Sequence, residues 1–376
     1  MALTQRQLNR TTLQRQLLLD REQLGVVDAV RRVVALQAQE PASPYLALWN
    51  RVRGFSPADL DAAFADGRLV KGQLLRITLH AVAAVDWPAF HTAMQYALRG
   101  SRLGDRRFTS TGLTVPDADA LVPGMLEFAS SPRTAAEMEA HLAARIDGAP
   151  SRRVWWALRT FAPLWHHPAG EPWTFGQRPL YRAAEPYDED PLESLTTLIR
   201  RYLAAFGPAS AADFTQFTIL PRSRTAEAFG KLAGELVEVE GPDGKPLLDL
   251  PDAPLADEDA PAPPRLLGMW DNLLLGWVDR GRVIPPEYRK LVMRSNGDVL
   301  PTLLVDGYVA GVWRPTEDGI EATALRPISA DDWHGLDAEA RSLRSFLADR
   351  EPMVYRRYAR WWPMLPASET RVIGRE

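Results

Sequence analysis

Two glutamines one residue apart, Gln37 and Gln39, flank Ala38 near the expected end of a helix. Each carboxamide carries an acceptor oxygen and two N–H donors. A pair aimed at one point can therefore hold and orient a water, although neither side chain can take its proton at neutral pH. Whether they share a point depends on the backbone, because residues two apart diverge on a helix but face the same way on an extended segment. Val26, Val30, Val33 and Val34 recur at helical spacing and predict an amphipathic helix with its apolar stripe on a core. Gln37 stands where that stripe would continue, and Pro41 biases Glu40 away from helical geometry, so the helix is expected to end near Leu36 or Gln37. Ser43-Pro44 then opens another helix, serine as N-cap and proline at its first position, carrying Tyr45, Leu48 and Trp49. In an extended segment the side chain of Glu40 points away from the pair. Two glutamines at a helix end can also do no more than cap it, and their spacing alone does not separate that role from chemistry.

The surrounding elements would have to position the pair. A helix is expected over residues 5–19, and Ser56-Pro57 opens one that runs to Phe64 and stops at Gly67. Residues 74–85 alternate as a strand, with Ile77, Leu79 and Ala81 on one face and Arg76, Thr78 and His80 on the other. His80 reads either as a partly exposed strand histidine or as a pocket or DNA contact. Arg31 and Arg32 precede the glutamines by about a turn and either reach phosphate or are simply solvated. Three helices followed by strands is the plan of a winged helix. A second such unit is expected from the capping box Thr134–Glu137, a helix capped by Ser151 and a hairpin around residues 168–172. A third follows from Ser210–Asp213 and the strand LVEVE, which turns at Gly241-Pro-Asp-Gly244. The expected fold class is α+β and mainly helical, with tandem winged-helix (helix-turn-helix) units at residues 1–112, 113–186 and 187–262. Past the proline and acid-rich stretch 251–264, a small β-rich module with C-terminal helices occupies 263–376, with hairpin turns at Asn296-Gly297 and Asp306-Gly307.

Composition excludes several kinds of chemistry. The 376 residues contain no cysteine, so disulfides, thiolate nucleophiles and zinc-thiolate sites are all ruled out, and a reducing compartment is implied. His166-His167 has no HExxH or carboxylate partner at metal-ligand spacing, and there is no Walker loop or GxGxxG. No metal and no cofactor is expected. No uninterrupted apolar stretch approaches a membrane span; even LLGMWDNLLLGWV holds Asp271 and Asn272. The expectation is a cytoplasmic, nucleoid-associated monomer. The net charge of −4 argues at first sight against a nucleic-acid partner, but residues 1–110 hold 15 Lys+Arg against 9 Asp+Glu, whereas 111–262 hold 13 against 23. Four of the 44 basic residues are lysine, which leaves arginine to grip phosphates.

The stretches LNRTTLQRQLLL, VVDAVRRVVALQAQEPASPYLALWNRV, GFSPADLDAAF, LLRITLHAV and LPTLLVDGYVAGVWRP resemble the winged-helix DNA glycosylases that unhook interstrand crosslinks and excise bulky alkylpurines. The active-site motif of that family is glutamine, an apolar residue, then glutamine, with aspartate at the last place in a sister branch; Gln37-Ala38-Gln39 matches the first form. The resemblance implies catalytic roles for Gln37 and Gln39, double-stranded DNA carrying alkylated or crosslinked guanines as partner, a place in base excision repair, and self-resistance to a genotoxic natural product. The chemistry suits the residues. N7-alkylation leaves a purine cationic and a good leaving group, so a strong general acid is unnecessary, and the remaining task is to place water and stabilise an oxocarbenium-like state. Only Lys71 lies near the motif in sequence as a Schiff-base amine, which predicts a monofunctional enzyme. Arg31, Arg32, Arg76, Thr78 and His80 are candidate DNA contacts, and the Asp306-Gly307 hairpin a candidate groove probe at a basic concavity. Two other readings remain at this point. One is a non-catalytic winged-helix DNA-binding regulator, and the other a protein-interaction module using the acidic middle.

Overall fold

Strand pairing shows how the chain is assembled. The computed structural model describes residues 2–176, 178–366 and 368–375. The first segment comprises helices α1 (Gln5–Arg15) and α2 (Val26–Arg32), the two-residue strand β1 (Leu36–Gln37), α3 (Ser43–Arg51), α4 (Pro57–Ala65), strands β2 (Leu69–Gln73) and β3 (Leu79–Ala83), the long α5 (Trp87–Leu103) and the short α6 (Arg106–Thr109). The second runs α7 (Val115–Phe128), β4 (Arg133–Thr134), α8 (Ala135–Ala143), α9 (Ser151–Phe161), β5 (Leu164–His167) and β6 (Leu180–Ala183). These six strands form one sheet in the order β1-β3-β2-β5-β6-β4, so the first two segments are joined through the β2–β5 edge at Lys71↔His166. The third segment stacks α10 (Pro191–Phe206), α11 (Ala211–Thr218) and α12 (Arg222–Leu232) ahead of the hairpin β7 (Val237–Glu240) and β8 (Pro246–Asp249). The last holds β9 (Arg265–Leu267), α13 (Arg289–Val292), β10 (Thr302–Val305), β11 (Tyr308–Thr316), β12 (Gly319–Ala324), α14 (Ala330–Ala348) and β13 (Glu369–Ile373). Its five strands pair in the order β13-β12-β11-β10-β9. The fold is thus α+β. No helix among the described residues is long and apolar enough to cross a membrane.

Local signals set many of the boundaries. Thr134 and Glu137 form a reciprocal capping box on α8, and Ser210 and Asp213 do the same on α11, each satisfying two N–H groups that the helix leaves free. Ser43 departs from its expected role. It lies inside α3, with Ala42 at the cap, and its hydroxyl bonds the Tyr355 hydroxyl at 3.0 Å, tying α3 to the C-terminal segment. The hairpin β11–β12, turning at Glu317-Asp318, and the edge strand β13 were not anticipated.

Two departures reshape the neighbourhood of Gln37 and Gln39. Helix α2 ends at Arg32, four residues short of Leu36, because Val34 turns into the left-handed region at φ 76°. A β-branched residue there is strained, at a cost of about 1–3 kcal/mol. Burial of both Val33 and Val34 and the pairing of the following backbone with β3 hold it in place. The expected strand over 74–85 begins at Leu79. Before it, Leu75–Ile77 form a 3-10 turn with Arg76 at φ 54° and Ile77 at φ 57°, closed by Leu74 N–H donating to the Thr78 carbonyl at 3.0 Å. Arg76, Thr78 and His80 therefore do not line one strand face.

Candidate active site

The early end of α2 leaves Leu36–Gln37 free to pair with β3. Leu36 pairs with Ala81, Gln37 with His80, and Ala38 N–H donates to the Leu79 carbonyl at 2.8 Å. Gln39 follows at a bend, and two hydrogen bonds tie the Gln37 and Gln39 side chains to the local backbone. The Gln39 N–H donates to Gln37 Oε1 at 3.0 Å, and the Leu79 N–H reaches Gln39 Oε1 at 3.5 Å. Both partners are donors, so each carboxamide must turn its oxygen to the backbone and its NH2 outward. Each oxygen retains a second lone pair, able to accept from a water. Gln37 is buried at 5% exposure while Gln39 is exposed, so the pair spans the boundary between interior and solvent.

Beneath Gln37 lies His80, fully buried. Its Nδ1 faces the Thr78 carbonyl at 3.0 Å, which obliges Nδ1 to carry a proton and donate; Nε2 is then left to accept from Arg76 Nη2 at 3.3 Å. Burial, reinforced by the Arg76 charge, pushes the imidazole pKa down to about 3, so His80 is neutral across the physiological range. Arg76 also donates from Nη1 to the Phe217 carbonyl at 3.0 Å, linking the turn to α11. The Thr78 hydroxyl donates to the Leu75 carbonyl at 3.1 Å. Glu40 is buried and engaged by Arg357 and by the Tyr358 hydroxyl at 2.8 Å, which directs its carboxylate to the C-terminal segment and away from the pair.

The other candidates fall elsewhere. Arg31 is ion-paired with Asp86 at 3.2 Å, a carboxylate that also holds Arg201 at 3.0 Å, and Arg32 is exposed. The Asp306-Gly307 turn packs on α1. Asp306 is held by Arg6 at 2.6 Å and by Arg10, and the Gly307 carbonyl accepts from Asn9 Nδ2 at 2.9 Å. With φ 77° and Asn9, Arg10 and Leu13 crowding its Cα, Gly307 could not take a side chain. This turn is thus a docking point for α1, with the Asp306 side chain about half exposed beside it.

Two features of the site were missed in the sequence. Asn272 is buried and donates to the Ala35 carbonyl, fixing the backbone just before the motif, and neighbouring Asp271 forms a buried bidentate pair with Arg51, both oxygens at 2.7 Å. The signal was present as two polar residues inside the apolar run LLGMWDNLLLGWV. The strained turn Leu75–Ile77 carried no sequence signal.

Lys71 separates position from chemistry. Burial pushes its amine pKa down to about 7, the state an amine nucleophile needs. Yet Gln37, His80 and Gly72 form one cross-strand row and share a face, while Leu36, Ala81 and Lys71 form the next row and point the other way. Lys71 instead packs its ammonium over the Phe175 ring at 4.6 Å, across the sheet from the motif. A lowered lysine pKa also makes a stability prediction. Between pH 10.5 and 7 the unfolded chain takes up a proton on this amine that the folded chain refuses, so the group destabilises the fold progressively as pH falls through that window and by a constant amount below it. Lys71→Met is expected to stabilise the protein at pH 7, on the order of 2–4 kcal/mol after allowing for the lost ring contact. The gain should disappear near pH 10.5. Denaturant titrations of both proteins at several pH values would show it, and a gain independent of pH would contradict it.

Comparison with known proteins identifies the family. The profile of the family described as DNA glycosylase AlkZ-like matches residues 30–346. The chain is 29% identical over 333 residues to an interstrand DNA cross-link repair glycosylase of Streptomyces sahachiroi, covering 83% of this chain and 88% of that protein. The solved structure of the Streptomyces sahachiroi DNA glycosylase AlkZ superposes with a TM-score of 0.79 at 25% identity, covering 94% of this chain and 99% of that one. With a match that includes the Gln37–Gln39 stretch and extends through most of its length, this chain belongs to the AlkZ-like family of DNA glycosylases.

Proposed function

We propose that this glycosylase is monofunctional, hydrolysing the N-glycosidic bond of bulky N7-alkylguanine adducts and unhooking DNA interstrand crosslinks, in base excision repair and in self-resistance to a genotoxic natural product. The observation that carries the reading is the Gln37–Gln39 stretch beside β3, whose two carboxamide oxygens are anchored by the backbone N–H groups of Gln39 and Leu79. Gln37 and Gln39 are its catalytic residues. Their second lone pairs orient a water toward the sugar carbon, and the outward NH2 groups are free to bond DNA. The motif holds no proton acceptor of its own at neutral pH, which suits a substrate whose leaving base is already cationic. The relative that is named for interstrand cross-link repair supports the choice of substrate. Gln39 is exposed at the edge of the site, and an open site favours a lesion tethered to both strands that cannot be flipped into a closed pocket.

The scaffold is read as tandem winged-helix units. In the first, strand order β1-β3-β2 with α3 and α4 between β1 and β2 is the order of such a unit, and β4-β6-β5 with α8 and α9 repeats it. In the third, the bridge Ala209↔Leu248 adds a partner to the β7–β8 hairpin after α10. Exposed Arg32 is assigned to phosphate contact.

Incubating the protein with duplex DNA carrying N7-methylguanine or a nitrogen-mustard crosslink, then heating in alkali, tests the reading. Scission at the lesion is expected. Binding without scission would leave a DNA-binding scaffold only. Borohydride added during turnover is expected to trap no covalent protein–DNA complex, because Lys71 lies on the far face of the sheet from Gln37; a trapped complex would overturn the monofunctional assignment.

A further inference from the structure

Most deeply placed arginines here are neutralised by the fold. Arg15 is matched by Asp249 at 2.8 Å on both oxygens, and Arg51 by Asp271. Arg282, also buried, spends its donors on the carbonyls of Phe206 and Pro208 and on the Thr12 hydroxyl. Arg76 and Arg280 are different. Arg280 is 8% exposed, and its bond among the described residues runs from Nε to the Leu274 carbonyl at 3.0 Å. Arg76 makes the two bonds to Phe217 and His80 and stacks its guanidinium on the Phe217 ring at 5.2 Å. Neither forms an ion pair with a carboxylate among the described residues. The charges acting on them are other arginines, Arg280 on Arg76 and Arg289 on Arg280.

Leaving neighbouring cations without an acid, Arg280 buried and Arg76 partly so, is unfavourable, and the fold adds to that cost by holding Arg76 and the β-branched Ile77 in left-handed conformations. A guanidinium has five N–H donors, so Arg76 keeps three unused and Arg280 four. The place is specific: Arg76 bonds His80, and His80 is the cross-strand partner of Gln37.

The geometry points to a phosphate clamp: Arg76 and Arg280 together take a DNA backbone phosphate of the strand being hydrolysed, setting the lesion nucleotide against the Gln37–Gln39 pair. The clamp rests on the glycosylase reading above. An anion is the ligand that two neighbouring guanidinium groups without a carboxylate partner among the described residues accept, and planar N–H forks suit the phosphodiester oxygens. His80 and the Phe217 carbonyl hold the orientation of Arg76, and His80, being neutral, adds no charge of its own.

The test measures binding of a duplex bearing a single N7-methylguanine in a Gln37→Ala background, so that turnover does not interfere, across a range of salt. Arg76→Gln/Arg280→Gln is expected to weaken binding at low salt at least tenfold and to reduce the slope of log K against log salt by about 0.9, the value for one phosphate contact. Arg76→Lys/Arg280→Lys should recover the slope. Independently, the protein with both arginines intact is titrated with duplexes in which each phosphate flanking the lesion is replaced in turn by neutral methylphosphonate. One position should weaken binding, and the double glutamine variant should be indifferent to it. An unchanged salt slope together with no phosphate position whose effect depends on the two arginines overturns the clamp. Should the Gln37→Ala protein fail to bind DNA at all, the glycosylase reading falls first, and the clamp with it.

Discussion

Gln37→Ala is expected to lower the single-turnover rate of N7-methylguanine excision by about 10²–10³, the range for losing one preorganised polar group at a reacting centre. DNA affinity should stay within about threefold, because the interaction lost is one made in the transition state. Gln39→Ala should act in the same direction. The two side chains are coupled, since Gln37 Oε1 accepts from the Gln39 backbone N–H, and in the proposed mechanism both orient one water. The double variant is therefore expected to lose little more than Gln37→Ala alone, as residues acting together are strongly non-additive. Rates equal to that of the parent protein, or a loss of binding as large as the loss of rate, would remove the pair from the chemistry.

The second large effect concerns stability. Arg51 and Asp271 form a bidentate ion pair with side chains 0% and 1% exposed, joining α3 to the loop that follows β9. Asp271 also accepts from Leu273 N–H at 3.0 Å, capping the turn that presents Asn272 to the Ala35 carbonyl. Asp271→Ala strands the guanidinium in the interior and is expected to destabilise the fold by about 3–5 kcal/mol. Arg51→Met/Asp271→Leu, which removes both charges, should be far less harmful, since the desolvation cost is then removed along with the attraction. Denaturant midpoints of the three proteins decide it. Because this loop braces the backbone just ahead of Gln37, the residual folded Asp271→Ala protein should also excise more slowly. Full activity in that variant would mean that the motif holds its shape without the brace.

Much of the site was legible because its determinants are local. The halted valine stripe and Pro41 announced that the helix stops at the motif, near Leu36 or Gln37, which leaves the two carboxamides off a helical face. The capping boxes at Thr134 and Ser210 worked for the same reason: the groups that satisfy each other lie within four residues. Where the chain leaves α2 was misjudged by four residues, since pairing with β3, more than forty residues away, competes for that backbone and wins even against a left-handed valine. His80, Arg76 and Thr78 share a polar face only if residues 74–85 are one continuous strand, and the turn at Leu75–Ile77 breaks it.

The sequence by itself determined the motif, the absence of thiol chemistry and the family. Tertiary structure decided the backbone path at the motif and which charges are compensated. It placed Lys71 on the far face of the sheet, turned Glu40 to Arg357, bound Asp306 to α1 and left Arg76 and Arg280 without an acid among the described residues. The physical reason is range. A hydrogen-bonded cap or a strand alternation is settled by neighbours in the chain, whereas the state of a buried charge depends on whichever groups folding brings within a few ångströms, and those come from residues as much as three hundred or more positions away.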